Sequence, residues 1–396
     1  MSAVAELDDF RTHIRVWLEK NCPASQRGPG EFIGGGKKVP ITDPDARHWL
    51  DVSAEAGYTV PLWPKEYGGA ALTIAQYKVY LEEMQRIRAR APLMGMGTGL
   101  IGPTLVEYGT HEQKLRHLRK IATGEIRWCQ GYSEPSSGSD LASLRTRCED
   151  KGDHYLVNGQ KIWTSGAQFA DWIFVLVRTN PDAAKHDGIS FVLMDMDQPG
   201  VQVRPIRLIS GNSPFCETFF TDAIVRKDDL VGQLNQGWTI GKRLLQHERS
   251  SVQALAGGAR RETGPSLVKV AKQYVGEDGG KIADPAVRTQ VIQHEINREA
   301  FRLTQQKTVE EMRDAKTPGP ATSMFKAYGS ELTQQRLELM MRYRGHQGLG
   351  WEGDGFAAEE IDNTREFLSS RAMSIYSGSN EIQRNIIAKR VLGLPD

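Results

Sequence analysis

A block of strand-patterned sequence between two long stretches of helical period is what most limits the folds open to this chain. From about residue 128 to 235, short alternating or fully apolar runs follow one another with turn residues between them, and Trp172–Val177 and Ile189–Met194 read as buried strands. In the same block Asn158-Gly159 separates Tyr155-Leu156-Val157 from Gln160-Lys161-Ile162-Trp163, and this dipeptide between apolar runs predicts a tight hairpin. Upstream, Leu7, Phe10, Ile14, Trp17 and Leu18 recur at helical spacing, residues 74–88 resume the period, and Thr110-His111-Glu112-Gln113 has the make-up of a helix start. After Gly237 the helical period returns and runs to about Arg390, broken at Pro318-Gly319-Pro320 and by the glycine-rich stretch from Gly345 to Gly355. Helices, then strands, then helices on 396 residues imply two or three domains and an α+β class.

Several functions are disfavoured by composition and spacing. Fifty Lys and Arg against 49 Asp and Glu leave a net charge of +1, without the basic excess that nucleic-acid or membrane-surface binding calls for. No apolar run approaches the roughly 18 residues of a membrane span. The first residues, Met1 to Asp9, are acidic early and match neither a secretory signal nor a transit peptide. With four scattered cysteines and no C-x-x-C pair, a cytoplasmic location is expected. Two matches to G-x-G-x-x-G (Gly97, Gly99, Gly102 and Gly348, Gly350, Gly353) lack the strand-turn-helix setting of a dinucleotide fingerprint. His247-Glu248 and His294-Glu295 begin like H-E-x-x-H helices, but Ser251 and Arg298 replace the second histidine, so no metal site is expected.

Three segments carry positive information: Gly131-Tyr132-Ser133-Glu134-Pro135-Ser136-Ser137-Gly138-Ser139-Asp140, Asn158-Gly159-Gln160-Lys161-Ile162-Trp163-Thr164-Ser165-Gly166, and Ile375-Tyr376-Ser377-Gly378-Ser379-Asn380-Glu381. Alone, the first is an ordinary Ser/Gly turn and Trp163 an ordinary strand-core residue. A small, hydroxyl-rich loop also offers N–H and O–H donors to an electron-rich ring or a phosphate without obstruction. In this order and spacing, with Pro64-Lys65-Glu66-Tyr67-Gly68-Gly69, Tyr108-Gly109-Thr110-His111 and Asn235-Gln236-Gly237-Trp238, they resemble the acyl-CoA dehydrogenase family over nearly the whole chain. The resemblance implies an N-terminal α-helical domain over residues 1–127, a middle β-barrel or sandwich over 128–235 and a C-terminal four-helix bundle over 236–396. It also implies FAD, an acyl-CoA substrate, transfer of electrons to an electron-transfer flavoprotein, and a step of the β-oxidation type.

Position by position, it places Tyr132 (through its backbone) and Ser133 at the pyrimidine edge of the isoalloxazine. Gly138 and Ser139 fall beside the approach to flavin and CoA, and Trp163 and Ser165 fall near the ring and its N5. Gly345, Gly348, Ser379 and Glu381 match further cofactor-contacting positions. Two flavin segments depart from the family. Val275-Gly276-Glu277-Asp278-Gly279 stands where relatives carry Arg-x-x-Phe-Gly, and Arg342-Tyr343-Arg344-Gly345-His346-Gln347-Gly348 stands where they carry Gln-x-x-Gly-Gly-x-Gly. A tetramer is implied, and these departures favour one built with a related, non-identical subunit.

The reaction removes a proton alpha to the thioester, which calls for a carboxylate. Many relatives place a glutamate where this chain has Ser377, whose hydroxyl is too weak a base although its backbone N–H could polarise the carbonyl. Others place it on the first C-terminal helix, where this chain has Glu248. Glu248 lies on the stripe Leu244, Glu248, Val252, with Gly241, Leu245 and Leu255 nearby, and burial there would raise its pKa towards neutrality. The alternative for Glu248 is an ion pair with Arg243 or near Arg249. For the whole chain, the alternatives are a flavin monooxygenase or oxidase on the same fold, or a non-catalytic partner subunit.

Overall fold

A computed structural model describes residues 3–250, 265–311 and 322–395, and the side chains of 3–4, 247–250, 309–311 and 322 lie outside that description. Pro318-Gly319-Pro320 therefore falls outside the described residues. The chain divides into two compact units, Met1–Ile206 with Pro214–Ser251, and Arg207–Ser213 with Val252–Asp396.

The first unit begins with α1 (Ala3–Asn21), α2 (Pro44–Glu55), α3 (Ile74–Arg86), α4 (Gly102–Tyr108) and α5 (His111–Ala122). Ile14 and Leu18 of α1 are fully buried against Trp49 and Leu50 of α2 and Val79 and Tyr80 of α3, as the helical spacing anticipates. Thr110 caps α5: its hydroxyl accepts from Gln113 N, while the Gln113 side chain accepts from Thr110 N, a reciprocal box. Gly97–Ile101 is a single π-helical turn with no preceding strand, so neither strand nor crossover accompanies that glycine cluster.

Glu83 ties α3 to α1. Its side chain is 2% exposed and accepts from Arg15 (2.8 and 3.0 Å), Arg86 (2.7 Å) and Arg11 (3.2 Å). The Arg15 hydrogen bonds, then those of Arg86 and Arg11, hold this carboxyl down at about 2. A depressed acid stabilises the fold above its ordinary pKa of about 4.3 and loses that contribution as pH falls through the depressed value. Melting temperatures taken from pH 7 to 2 should fall more steeply for wild type than for Glu83→Gln below about pH 4.3, although wild type starts higher. Parallel curves would mean that the network contributes nothing.

The sheet follows: β1 (Trp128–Gly131), β2 (Arg147–Asp150), β3 (His154–Ser165), β4 (Trp172–Arg178), β5 (Ile189–Asp195), β6 (Val201–Ile206), β7 (Phe215–Arg226) and β8 (Leu230–Val231). Its order is β6-β7-β3-β2-β4-β5-β8, with β1 parallel to β4. β4 is apolar from Trp172 to Val177 because both faces are covered. Phe174 and Leu176 enter the core shared with α4 and α5, while Ile173, Val175 and Val177 enter the core under β3 and β7.

The expected hairpin at Asn158-Gly159 is absent. β3 runs unbroken through it, and the turn into β3 is Lys151-Gly152-Asp153, closed by Lys151 N donating to His154 O at 2.9 Å. Asn158-Gly159 is instead a mid-strand irregularity opposite Asp222, where Asn158 Nδ2 meets Asp222 Oδ1 at 3.0 Å and Asp222 N meets Asn158 Oδ1 at 2.9 Å. Glycine is required there, since a Cβ on Gly159 would lie 2.7 Å from Thr146 Oγ1 and 2.8 Å from Thr146 Cα.

α6 (Gly237–Ser250) closes this unit, burying Ile240 and Leu244 beside Leu176 and Phe191. The second unit comprises α7 (Leu267–Val275), the short hairpin β9 (Glu277–Asp278) and β10 (Lys281–Ile282), α8 (Pro285–Glu311), α9 (Thr322–Arg344), α10 (Ala358–Ser370) and α11 (Asn380–Ile386). Its core gathers Leu267, Val270, Val291, Leu337, Met340 and Tyr343. Among the described residues no helix is long and apolar enough to cross a membrane.

Candidate active site

Six of the candidate residues gather in the first unit, around the ends of β1 and β3. The chain leaves β1 at Gly131, and Tyr132 turns its ring inward, 4% exposed, with its hydroxyl donating to Gly241 O of α6 at 3.4 Å. Two consecutive carbonyls of this exit are taken up inside the protein. Tyr132 O accepts from Lys161 Nζ at 3.1 Å, and Ser133 O accepts from Ile162 N at 2.9 Å. In a trans peptide the C=O and the following N–H point in opposite directions, so the Ser133 amide faces away from Lys161. The segment then closes on itself through reciprocal Glu134–Ser137 backbone hydrogen bonds of 3.1 and 3.0 Å. Gly138 and Ser139 follow, both exposed, and a Cβ on Gly138 would meet nothing within 4 Å.

Trp163 is not strand core. It is 53% exposed with φ +61°, edge-on to Phe215 at 6.2 Å. The register of β3 on β7 shifts between Lys161 and Thr164, and this shift turns the indole outward while Lys161 and Thr164 are fully buried. A left-handed backbone costs a non-glycine residue roughly 1–2 kcal/mol, so the surrounding sheet must enforce it. Ser165, half-buried, is the last residue of β3 and pairs with Phe215.

α6 carries Glu248, one turn beyond Leu244, which is fully buried. The Glu248 side chain lies outside the described residues. Arg243, the ion-pair partner considered for it, places Nε at 2.8 and 3.1 Å from the Glu107 carboxylate and Nη1 at 3.1 Å from Gln246.

The remaining candidates belong to the second unit. Ser377 is exposed and left-handed (φ +55°), and Gln383 Nε2 donates to both Ser377 O and Gly378 O at 3.3 Å. Ser379 caps α11, its hydroxyl accepting from Ile382 N at 3.4 Å, and Glu381 lies exposed in the first turn. Gly345 is exposed at φ +54°, whereas Gly348 is buried where a Cβ would meet Met341 O at 2.8 Å. Beside them, Arg344 is buried on Glu359 and Asn363, committed to holding α10. The Glu277–Asp278 pair that replaces the family's Arg-x-x-Phe-Gly forms exposed β9, paired with Lys281–Ile282. No cluster of metal-ligating side chains occurs among the described residues.

Lys161 and Glu134 were not singled out from the sequence. The signal was present: Lys161 shares the inward parity of Tyr155 and Val157, which is unusual for a lysine unless it has a partner.

These residues suit an isoalloxazine ring. An outward aromatic face, an unobstructed glycine, and a turn whose carbonyls are spent inward while an amide faces out make a donor surface for an acceptor-rich ring edge.

Comparison with known proteins agrees over the whole length. Residues 38–125, 129–223 and 235–392 match the family models described as the N-terminal, middle and C-terminal domains of acyl-CoA dehydrogenase. Acyl-CoA dehydrogenase IpdE1 of Mycolicibacterium smegmatis is 38% identical, covering 98% of each chain. Among solved structures, the Tcur3481-Tcur3483 steroid ACAD superposes with a TM-score of 0.74 at 31% identity, covering 99% of this chain and 98% of that one. The ChsE4-ChsE5 complex from Mycobacterium tuberculosis gives 0.74 at 28% identity over 100% and 99%. The chain belongs to the acyl-CoA dehydrogenase family, whose fold is FAD-dependent.

Proposed function

We propose that this protein is an FAD-dependent dehydrogenase that converts the CoA ester of a steroid-derived acyl group to its trans-2-enoyl-CoA and passes the electrons to an electron-transfer flavoprotein. The observation that carries the reading is the outward, left-handed Trp163 beside the inward-turned carbonyls of Tyr132 and Ser133. The steroid class rests on similarity to the steroid ACAD at 31% identity over nearly the full length.

In this reading Tyr132 and Ser133 hold the pyrimidine edge of the flavin through backbone N–H and the Ser133 hydroxyl. Trp163 and Ser165 flank the ring, and Gly138 and Ser139 leave room for the CoA ester. Gly345, Gly348, Ser379 and Glu381 serve the rest of the cofactor. FAD, when bound, supplies the acceptor for the hydride that leaves the beta carbon. The Glu248 carboxylate takes the proton from the alpha carbon, and the electron pair of that C–H bond becomes the new alpha–beta double bond. The Ser377 amide, in a turn pinned by Gln383, polarises the thioester carbonyl and so acidifies the alpha proton.

Because Trp163 is half exposed, Trp163→Ala should cost less than about 1 kcal/mol of stability, not the ~3–5 kcal/mol of a buried tryptophan. Flavin retention should nevertheless fall in Trp163→Ala and in Ser133→Ala. Melting curves run beside flavin spectra separate the two effects, and unchanged flavin content with a large melting shift would remove both residues from the site.

A second reading, a non-catalytic partner subunit, is favoured by the exposed acidic β9 at a segment expected to serve the cofactor. Incubating the FAD-loaded protein with steroid-side-chain and linear acyl-CoAs and an electron acceptor, followed by mass spectrometry, distinguishes the outcomes. Loss of two hydrogens from the ester supports the dehydrogenase, and an oxygenated product would point to the monooxygenase alternative. A chain that holds FAD and turns over only with a second subunit bearing its own base would support the partner reading.

A further inference from the structure

Behind the Tyr132–Ser137 segment lies a charge pair that the chemistry above does not use. Lys161 is 0% exposed, and its Nζ donates to Tyr132 O at 3.1 Å and to Glu134 Oε1 at 2.8 Å. Glu134, 8% exposed, also accepts from Arg145 N at 2.7 Å and Thr146 N at 2.9 Å. Both charged groups have partners, but a buried ion pair usually stabilises a fold no better than an apolar pair of similar size. Stability is therefore a weak reason for placing a lysine here. Its position offers a stronger one, because the carbonyl it grips belongs to the same peptide unit as the Ser133 N–H.

We propose that Lys161 is a positioning residue which, through the Tyr132 carbonyl, orients and polarises the Ser133 amide toward the pyrimidine edge of the flavin, with Glu134 fixing Lys161 in place. The inference rests on the flavin reading of this loop. A cation hydrogen-bonded to the carbonyl oxygen withdraws electron density through the conjugated peptide and strengthens its N–H as a donor. In a site shielded from water, the effect is screened little. A stronger donor favours the more negative, two-electron-reduced flavin over the oxidised one. Burial lowers Lys161 from the ordinary lysine value, and the Glu134 carboxylate 2.8 Å away opposes that by favouring the ammonium.

The test compares wild type, Lys161→Met, Lys161→Arg and the double variant Lys161→Met/Glu134→Gln, which leaves no unpaired charge. Three quantities are measured: FAD dissociation constant, flavin midpoint potential, and melting temperature of the apoprotein. Both methionine variants should bind reduced flavin about tenfold more weakly relative to oxidised flavin, a fall of about 30 mV for a two-electron couple. Lys161→Arg, which keeps the charge, should restore most of the potential. A purely structural pair would shift melting temperature and leave the potential of the flavin-loaded fraction alone. Wild-type potential in either methionine variant overturns the inference while leaving the flavin site standing. A wild-type protein that takes up no FAD, with or without a partner chain, overturns the flavin reading itself and this inference with it.

Discussion

Replacing Glu248 by glutamine should slow substrate-driven bleaching of the flavin by at least ~10²–10⁴-fold, the range credited to a positioned general base. Glutamine keeps the shape and most of the hydrogen bonding of glutamate but cannot accept the alpha proton, so FAD and the CoA ester should remain bound. If Glu248 were an ion-pair residue, the same change would lower stability by a few kcal/mol for a buried pair and leave the reduction rate per flavin nearly intact. Arg243, an obvious partner for such a pair because it shares α6 with Glu248, already engages Glu107 of α4. Ser377→Ala is the control: only its backbone amide is assigned a role, so reduction should continue at close to the wild-type rate. Stopped-flow absorbance of the three proteins, mixed anaerobically with the same ester, measures all of this. A Glu248→Gln protein that bleaches as fast as wild type ends the assignment.

The second large effect concerns assembly. Acidic Glu277 and Asp278 lie exposed where relatives place an arginine for the pyrophosphate of a neighbouring subunit's cofactor, and Arg344 is spent on Glu359 and Asn363. Carboxylates repel a phosphate that an arginine would hold, and Lys272, 3.4 Å from Glu277, is already engaged by that carboxylate. The chain should therefore associate with a related, non-identical subunit, and the complex should hold fewer flavins than subunits. Two solved relatives are named for two proteins each, Tcur3481-Tcur3483 and ChsE4-ChsE5. Native mass spectrometry with flavin quantification decides the point. A homotetramer that binds one FAD per chain when expressed alone would contradict it.

How far the sequence could be read depended on how local the deciding physics was. The α1 stripe of Ile14 and Leu18, the Thr110 cap and the apolar runs of β4 and β5 all follow from neighbours within a turn or a strand, and each forms where its pattern indicates. Asn158-Gly159 misled because its fate is set by Asp222 and Thr146, which are distant or on another strand. Trp163 was equally opaque. Strand alternation cannot foresee the register shift after Lys161 that rotates the indole outward. The resemblance pointed to Tyr132 and Ser133, but the hydrogen bond from buried Lys161 of β3 to Tyr132 O, which leaves the Ser133 amide facing away from the lysine, became visible only in the structure. At Glu248 the helix is as expected, and the role of its carboxylate rests on the stripe with Leu244 and on the glutamate that Ser377 replaces.

The most direct test of the central claim is an anaerobic titration. The purified protein, with its partner subunit if it has one, is loaded with FAD and mixed with increasing amounts of individual CoA esters while the flavin absorbance is followed. A steroid-side-chain ester should bleach the flavin stoichiometrically, linear esters should do so less completely, and the products should be 2-enoyl-CoAs. A flavin that binds but stays oxidised with every saturated ester, or a protein that binds no flavin in any assembly, would contradict it.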